Sequence, residues 1–324
     1  MTDVELHRLV DPAAGLDPEA WLDRIEDIAE DHGYFEPLGP DHSVTFIGRG
    51  RTLLVTFETI QSIRERVQSD VPLGWEMIAG TDWSQLCLLS DGETWFRHIA
   101  VYMYFDRLVD EGFFDEYDRV IFYGNESCGY AAAAFSVAAP GACVLALSAQ
   151  ATLDPRDTEW DDRFLHMRRT SFTDRYGYAP DMLDAADRAF VLYDPDLVED
   201  SMHAALFRRP NVTRIRCPRL DGQIETFLRR MGLLKPLFEI AAQRDLEALD
   251  IYRALRERRS YLPYLRKLVD ELAHAGRPCL MALMCRAVLG RMNIPSFQQH
   301  YTRSLETLQR QGRSLPKQDQ PEPV

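Results

Sequence analysis

Histidine and cysteine are sparse in this 324-residue chain, eight and six respectively, and neither type is grouped. No Cys-x-x-Cys pair occurs and no histidines stand at metal-ligand spacing, so neither a zinc site nor a disulfide framework is expected. Cys87, Cys128, Cys143, Cys217, Cys279 and Cys285 fall singly, several inside apolar runs, as buried free thiols do. A phosphate loop and a G-x-G-x-x-G fingerprint are both missing, which leaves nucleotide chemistry without support and no cofactor expected. No apolar run reaches eighteen residues, and the first residues lack a basic region followed by an apolar one. The expectation is a cytoplasmic protein without a membrane span. Lysine is nearly absent, three of 37 basic residues; a GC-rich coding sequence gives such an arginine preference without any binding role.

What is present is ordinary for a folded domain with an appendage: 46% hydrophobic and 27% charged residues, in a length able to bury a sizeable core. The net charge of −14 is unevenly spread. Residues 1–234 hold 22 basic against 41 acidic residues, net −19, whereas residues 235–310 hold 13 against 8, net +5. A boundary near Lys235 follows. The acidic part argues against nucleic acid as a ligand, since phosphate neutralisation needs clustered positive charge. The basic part is suited to an acidic protein partner.

Apolar runs suited to strands recur at 44–47, 53–57, 86–89, 120–123, 143–147, 189–193 and 212–217. Helical patterns lie between several of them, at 95–112, 126–139, 200–207 and 223–231. Such alternation implies an α/β fold, a mostly parallel sheet with helices on both faces, whose site lies at the carboxyl ends of the strands. Residues 1–40 read as an acidic lead-in with one helix, 18–32, opened by an Asp17 cap and Pro18. The sheet domain is expected over 41–234, a C-terminal all-helical segment over 235–311, and a disordered tail over 312–324.

Residues 119–130 are the most informative stretch. An apolar strand runs into Gly124-Asn125-Glu126-Ser127-Cys128-Gly129, and an alanine-rich helix follows. A sharp strand-to-helix turn of this kind lifts a nucleophile out at the sheet's edge, as in G-x-S-x-G. Ser127 is the expected nucleophile, with Gly129 two residues after it. Asn125 takes the place of the first glycine, which stands one residue earlier at Gly124. In the other reading Ser127 only caps the helix of a tight βα unit. A serine nucleophile needs a base and an orienting acid, in the chain order serine, acid, histidine. Asp194, directly after the 189–193 strand, is best placed as the acid, with Asp200 as the alternative.

With these residues the chain resembles the α/β-hydrolase superfamily over roughly 44–232, and more closely bacterial hydrolase-like proteins whose elbow is followed by Gly-Tyr-Ala-Ala. The resemblance implies a general-base histidine in the turn before the last helix of the sheet domain. The matching pair here is Gly222-Gln223, and a glutamine amide accepts no proton near neutral pH. His203 is the substitute base, ahead of His98 and His166. The resemblance also implies an oxyanion hole from the backbone of Cys128 and of Glu58 or Thr59. Glu126, next to the serine, reads as a first-turn glutamate favoured by the helix dipole, the other reading being a residue that perturbs the site or serves as an acid. Aromatic and arginine residues between 160 and 178 (Trp160, Arg163, Phe164, Arg168, Arg169, Arg175, Tyr178) suit a lid or wall for an anionic or sugar-like ligand, and equally a packed structural excursion. The expected function is a serine-hydrolase-like protein, an esterase acting on a small ester or acyl group through Ser127. The alternatives are a catalytically impaired hydrolase-fold binding or interaction protein and an acyltransferase.

Overall fold

The computed structural model describes residues 16–66 and 70–316. Eight strands form one sheet: β1 (Gly33–Pro37), β2 (His42–Ile47), β3 (Thr52–Thr59), β4 (Ser84–Ser90), β5 (Arg119–Asn125), β6 (Cys143–Leu147), β7 (Arg188–Tyr193) and β8 (Val212–Arg216). Their spatial order is β1-β2-β4-β3-β5-β6-β7-β8. β2 runs antiparallel to β1 and β4, and every pair from β4 to β8 is parallel. The central strands are buried on both faces, which is why they read as continuous apolar runs rather than alternating ones. With the sharp turn between β5 and the helix Ser127–Phe135, the fold is α/β-hydrolase-like.

The elbow helix Ser127–Phe135 is buried in full. Its four alanines, 131–134, give it a slim profile, and the Phe57, Phe105 and Phe135 rings stack around it at 4.5–6.0 Å. Burial of this kind supplies most of the stabilisation of an apolar layer, about 25 cal/mol per Å2 removed from water.

Two differences from the sequence reading concern boundaries. β1 lies inside the stretch read as a lead-in; it pairs with β2 from Gly33 opposite Ile47 to Pro37 opposite Ser43, so this part of 1–40 belongs to the sheet. The helix Pro18–His32 buries Trp21, Ile25 and Ile28. The first fifteen residues, and the tail from 317 onward, lie outside the described residues. The chain divides into two compact units between Ala254 and Leu255, beyond the compositional boundary at Lys235. The helices Leu234–Ala242 and Ala248–Ala254 fall in the first unit because they pack on the sheet: Phe238 meets the Tyr123 ring at 5.1 Å, and Arg119 donates to the carbonyl of Ala241 at 3.2 Å. The second unit holds the helices Leu262–His274, Pro278–Leu289 and Pro295–Arg310, each with one buried apolar stripe. Among the described residues no helix is long and apolar enough to cross a membrane.

Candidate active site

Local sterics fix the elbow. A Cβ on Gly124 would lie 2.0 Å from the carbonyl oxygen of Cys128, and one on Gly129 would lie 2.7 Å from that of Leu147. Both positions therefore need glycine. The strained residue between them is Glu126, with φ 56° and ψ −122°. Its N–H donates to the Leu147 carbonyl at 2.8 Å, and its carbonyl accepts from the Tyr130 N–H at 3.0 Å. The residue held out at the turn is thus a glutamate. Ser127, expected there, is instead the first residue of the helix and mostly buried. The relevant spacing is Gly124-x-Glu126-x-Cys128, one residue earlier than a count centred on serine, and the displaced Gly124 was its signal.

Glu126 is reached by solvent yet walled on its flanks, and it lines two cavities. One, of about 220 Å3, is lined also by Ser127, Cys128, Glu58, Thr59 and Glu225. The other, of about 230 Å3, is lined by Ser148, Arg163, Phe164, Asp200 and Gln223. Loss of solvent around it, then the negative charges of Glu225, Asp200 and Glu93, push the Glu126 carboxyl above the usual range, while Arg163 opposes them. No described residue donates a side-chain hydrogen bond to that carboxylate.

The expected partners of Ser127 have other engagements. His203 is fully buried; its Nδ1 accepts the Ala151 N–H at 3.2 Å, so its Nε2 carries the proton and donates to Asp161 at 2.8 Å. Neither ring nitrogen is available to a serine hydroxyl, and the base role read for His203 is corrected on that geometry. Its ring is one end of a chain of contacts: Asp161 pairs with Arg163 at 2.8 Å, and Arg163 with Asp200 at 2.7 Å. Asp194 does stand at the end of β7, fully buried, but its carboxylate accepts three backbone N–H groups, from Asp196 at 3.0 Å, Leu220 at 3.0 Å and Gly222 at 3.3 Å. It fastens the loop after β8 that carries Gln223. That loop holds Arg219, Asp221 and Gly222 at positive φ, a conformation these bonds sustain.

Glu58 and Thr59 lie within β3, in register with Leu89 and Ser90, rather than in a loop beyond it. The Glu58 carboxylate is buried; it accepts the Leu73 N–H at 2.8 Å and pairs with Arg66. Thr59 caps the helix Ile60–Arg64 through a 3.0 Å bond from Ser62. His98 caps the helix Ile99–Asp110, and His166 faces Glu93 at 3.4 Å. Of the arginines read as a wall for an anion, Arg168 pairs with Asp162 and Arg175 with Asp106. Arg163 and Phe164 line the second of the two cavities beside Glu126.

The comparison with family models gives no match, nor does that with curated proteins. The chain is similar to solved structures at low identity. A Pyrococcus horikoshii acylaminoacyl peptidase shares 9% identity with a TM-score of 0.47; the match covers 68% of this chain and 43% of the peptidase, so the chain spans less than half of that protein. A hyperthermophilic esterase from Pyrobaculum calidifontis shares 13% identity, TM-score 0.39, over 78% of this chain and 97% of the esterase. A capsule O-acetyltransferase of Neisseria meningitidis serogroup A, a mutant form in complex with CoA, shares 9%, TM-score 0.38, over 60% of this chain and 91% of the transferase.

Proposed function

We propose that this chain is a hydrolase-fold binding protein, which holds a small molecule at the carboxyl edge of its sheet without turning over an ester. The observation that carries this is Glu126 in the strained place of the elbow. With a carboxylate there and Gln223 where the resemblance implies a base, no histidine lines either cavity to activate a water against an acyl intermediate. The surroundings support the same conclusion. An oxyanion formed beside Ser127 would share its cavity with Glu58, Glu65, Glu93, Glu126 and Glu225, and the cation there, Arg66, already pairs with Glu58. Oxyanion stabilisation needs preorganised donors and positive potential, the reverse of this lining. The objection applies equally to hydrolysis and to acyl transfer through Ser127.

Purified wild type is treated with a fluorophosphonate probe beside Ser127→Ala, and modified residues are located by mass spectrometry. The expected outcome is no adduct on Ser127 from protein that melts cooperatively. A stoichiometric adduct on Ser127, absent from the alanine variant, would overturn the proposal in favour of an active serine hydrolase.

A further inference from the structure

We propose that Glu126 anchors a site for a small organic cation, an ammonium group carried on a compact apolar body, in the cavity it shares with Ser148, Phe164, Leu197 and Gln223. This deepens the function proposed above and rests on it.

Two independent observations converge here. The first is charge without a counter-ion. Arg163, the cation of this cavity, is engaged by both Asp161 and Asp200. The Glu126 carboxylate has no such partner among the described residues, and Glu225, Asp200 and Glu93 add negative potential around it. A concave acidic site of this kind concentrates cations and repels anions. The second is Ser148. It is 5% exposed, and its backbone is fully engaged: its N–H donates to the Leu192 carbonyl at 2.8 Å, and its carbonyl accepts from Gln150 at 3.1 Å. Its hydroxyl has no partner among the described residues, although it is buried on the wall of the same cavity. A buried hydroxyl without a partner is uncommon, and an ammonium N–H is a donor it can accept. Gln150 does not serve it: the amide oxygen accepts the Trp95 indole N–H at 3.1 Å, and the nitrogen donates to the Ser148 carbonyl rather than to the hydroxyl.

Size and lining narrow the ligand. At about 230 Å3 the cavity is smaller than the roughly 300–1,000 Å3 of drug-sized sites, so one short molecule fills it. Phe164 is braced edge-on by Trp95 at 4.8 Å, and with Leu197 it offers an apolar surface next to the charged end. A monoamine with a phenyl or branched alkyl body matches this combination better than a polyamine, whose second charge would have to lie against that surface.

The test is calorimetric titration of the full chain with phenethylammonium and isopentylammonium, and with 3-phenylpropionate as the charge-reversed match. Saturable binding of at least one amine and none of the carboxylate is expected. Glu126→Gln weakens the amine at least tenfold, and Ser148→Ala weakens it about two- to tenfold, as loss of one hydrogen bond does. Amine binding favours the ionised carboxylate, so affinity falls as pH drops through the range in which the Glu126 carboxyl, raised above its usual value, takes up a proton; Glu225, Asp200, Glu93, Asp221 and Arg163 are the charged groups around it. Thermal melting of each variant checks folding. No saturable binding of either amine, equal binding by Glu126→Gln, or preference for the carboxylate would each overturn the site. The two proposals fail separately: an adduct on Ser127 with amine binding intact defeats only the non-catalytic function, and no adduct with no amine binding defeats only the cation site.

Discussion

At Glu126 a non-glycine residue adopts a positive-φ conformation that costs on the order of 1–3 kcal/mol and persists only when its surroundings overdetermine it. Those surroundings are Gly124 and Gly129, which let the Cys128 and Leu147 carbonyls close in from either side. Gly124→Ala places a methyl group against backbone that cannot yield. We expect a loss of about 3 kcal/mol or more, read as a lower urea midpoint with an unchanged slope. An equal midpoint in the variant would mean that the turn is looser than its geometry states. The glycines were legible in the sequence, whereas the identity of the strained residue was not. A spacing of five between two glycines admits either Glu126 or Ser127 at the apex, and centring on serine selected by chemistry what backbone sterics decide otherwise.

Among elements, the loop after β8 depends most clearly on one side chain. Asp194 accepts N–H groups from Leu220 and Gly222 as well as from Asp196, and Asp196 itself accepts from Arg219 at 2.9 Å. Asp194→Asn replaces one acceptor oxygen with a donor facing another donor. A loss of about 1–3 kcal/mol is expected, with faster amide exchange confined to residues 217–223 and little change in the elbow helix. Uniform acceleration across the sheet would refute this local role. Asp194 after β7 was visible as Asp-Pro following an apolar run, and the apolar runs of β3 to β7 located those strands because parallel strands buried on both faces are apolar throughout. β1 escaped because a five-residue edge strand, half-exposed and containing proline and glutamate, has no such run. The orientation of His203 is not written in its neighbourhood of the sequence. Which way a nine-residue helix turns one polar residue depends on Asp161, forty-two positions away, and no local pattern encodes that partner.

For the whole molecule, acid sensitivity follows from rings folded in neutral form. Burial, then the neighbouring His98, lowers the His42 pKa from the usual 6.5 to about 4, while Asp41 opposes; burial also lowers His203. Unfolding frees both rings to bind protons below about pH 6.5. Stability is therefore full above that pH and falls as pH drops through the window toward about 4, where His42 alone accounts for up to about 3 kcal/mol. Glu126 and Asp200, whose carboxyls are raised, act in the opposite direction over the acid side of this window. The expected result is a urea midpoint that declines from pH 7 to pH 5, with a shallower decline in His42→Gln. Parallel declines in the two proteins would remove His42 as a cause.

The buried elbow helix has a consequence for how such chains are recognised. Every one of its nine residues is buried, so selection for mere foldedness holds Gly124, Gly129 and the alanines in place whatever stands at 126. In a saturation library scored only for folding, those positions would tolerate almost nothing, and Glu126, exposed at the apex, would tolerate changes of side-chain chemistry apart from the β-branched residues that its positive φ disfavours. The packing of this turn therefore places no demand on the chemistry of the side chain at its apex. The glycines and alanines around it answer to packing, and the single letter at the apex is the one left to chemistry.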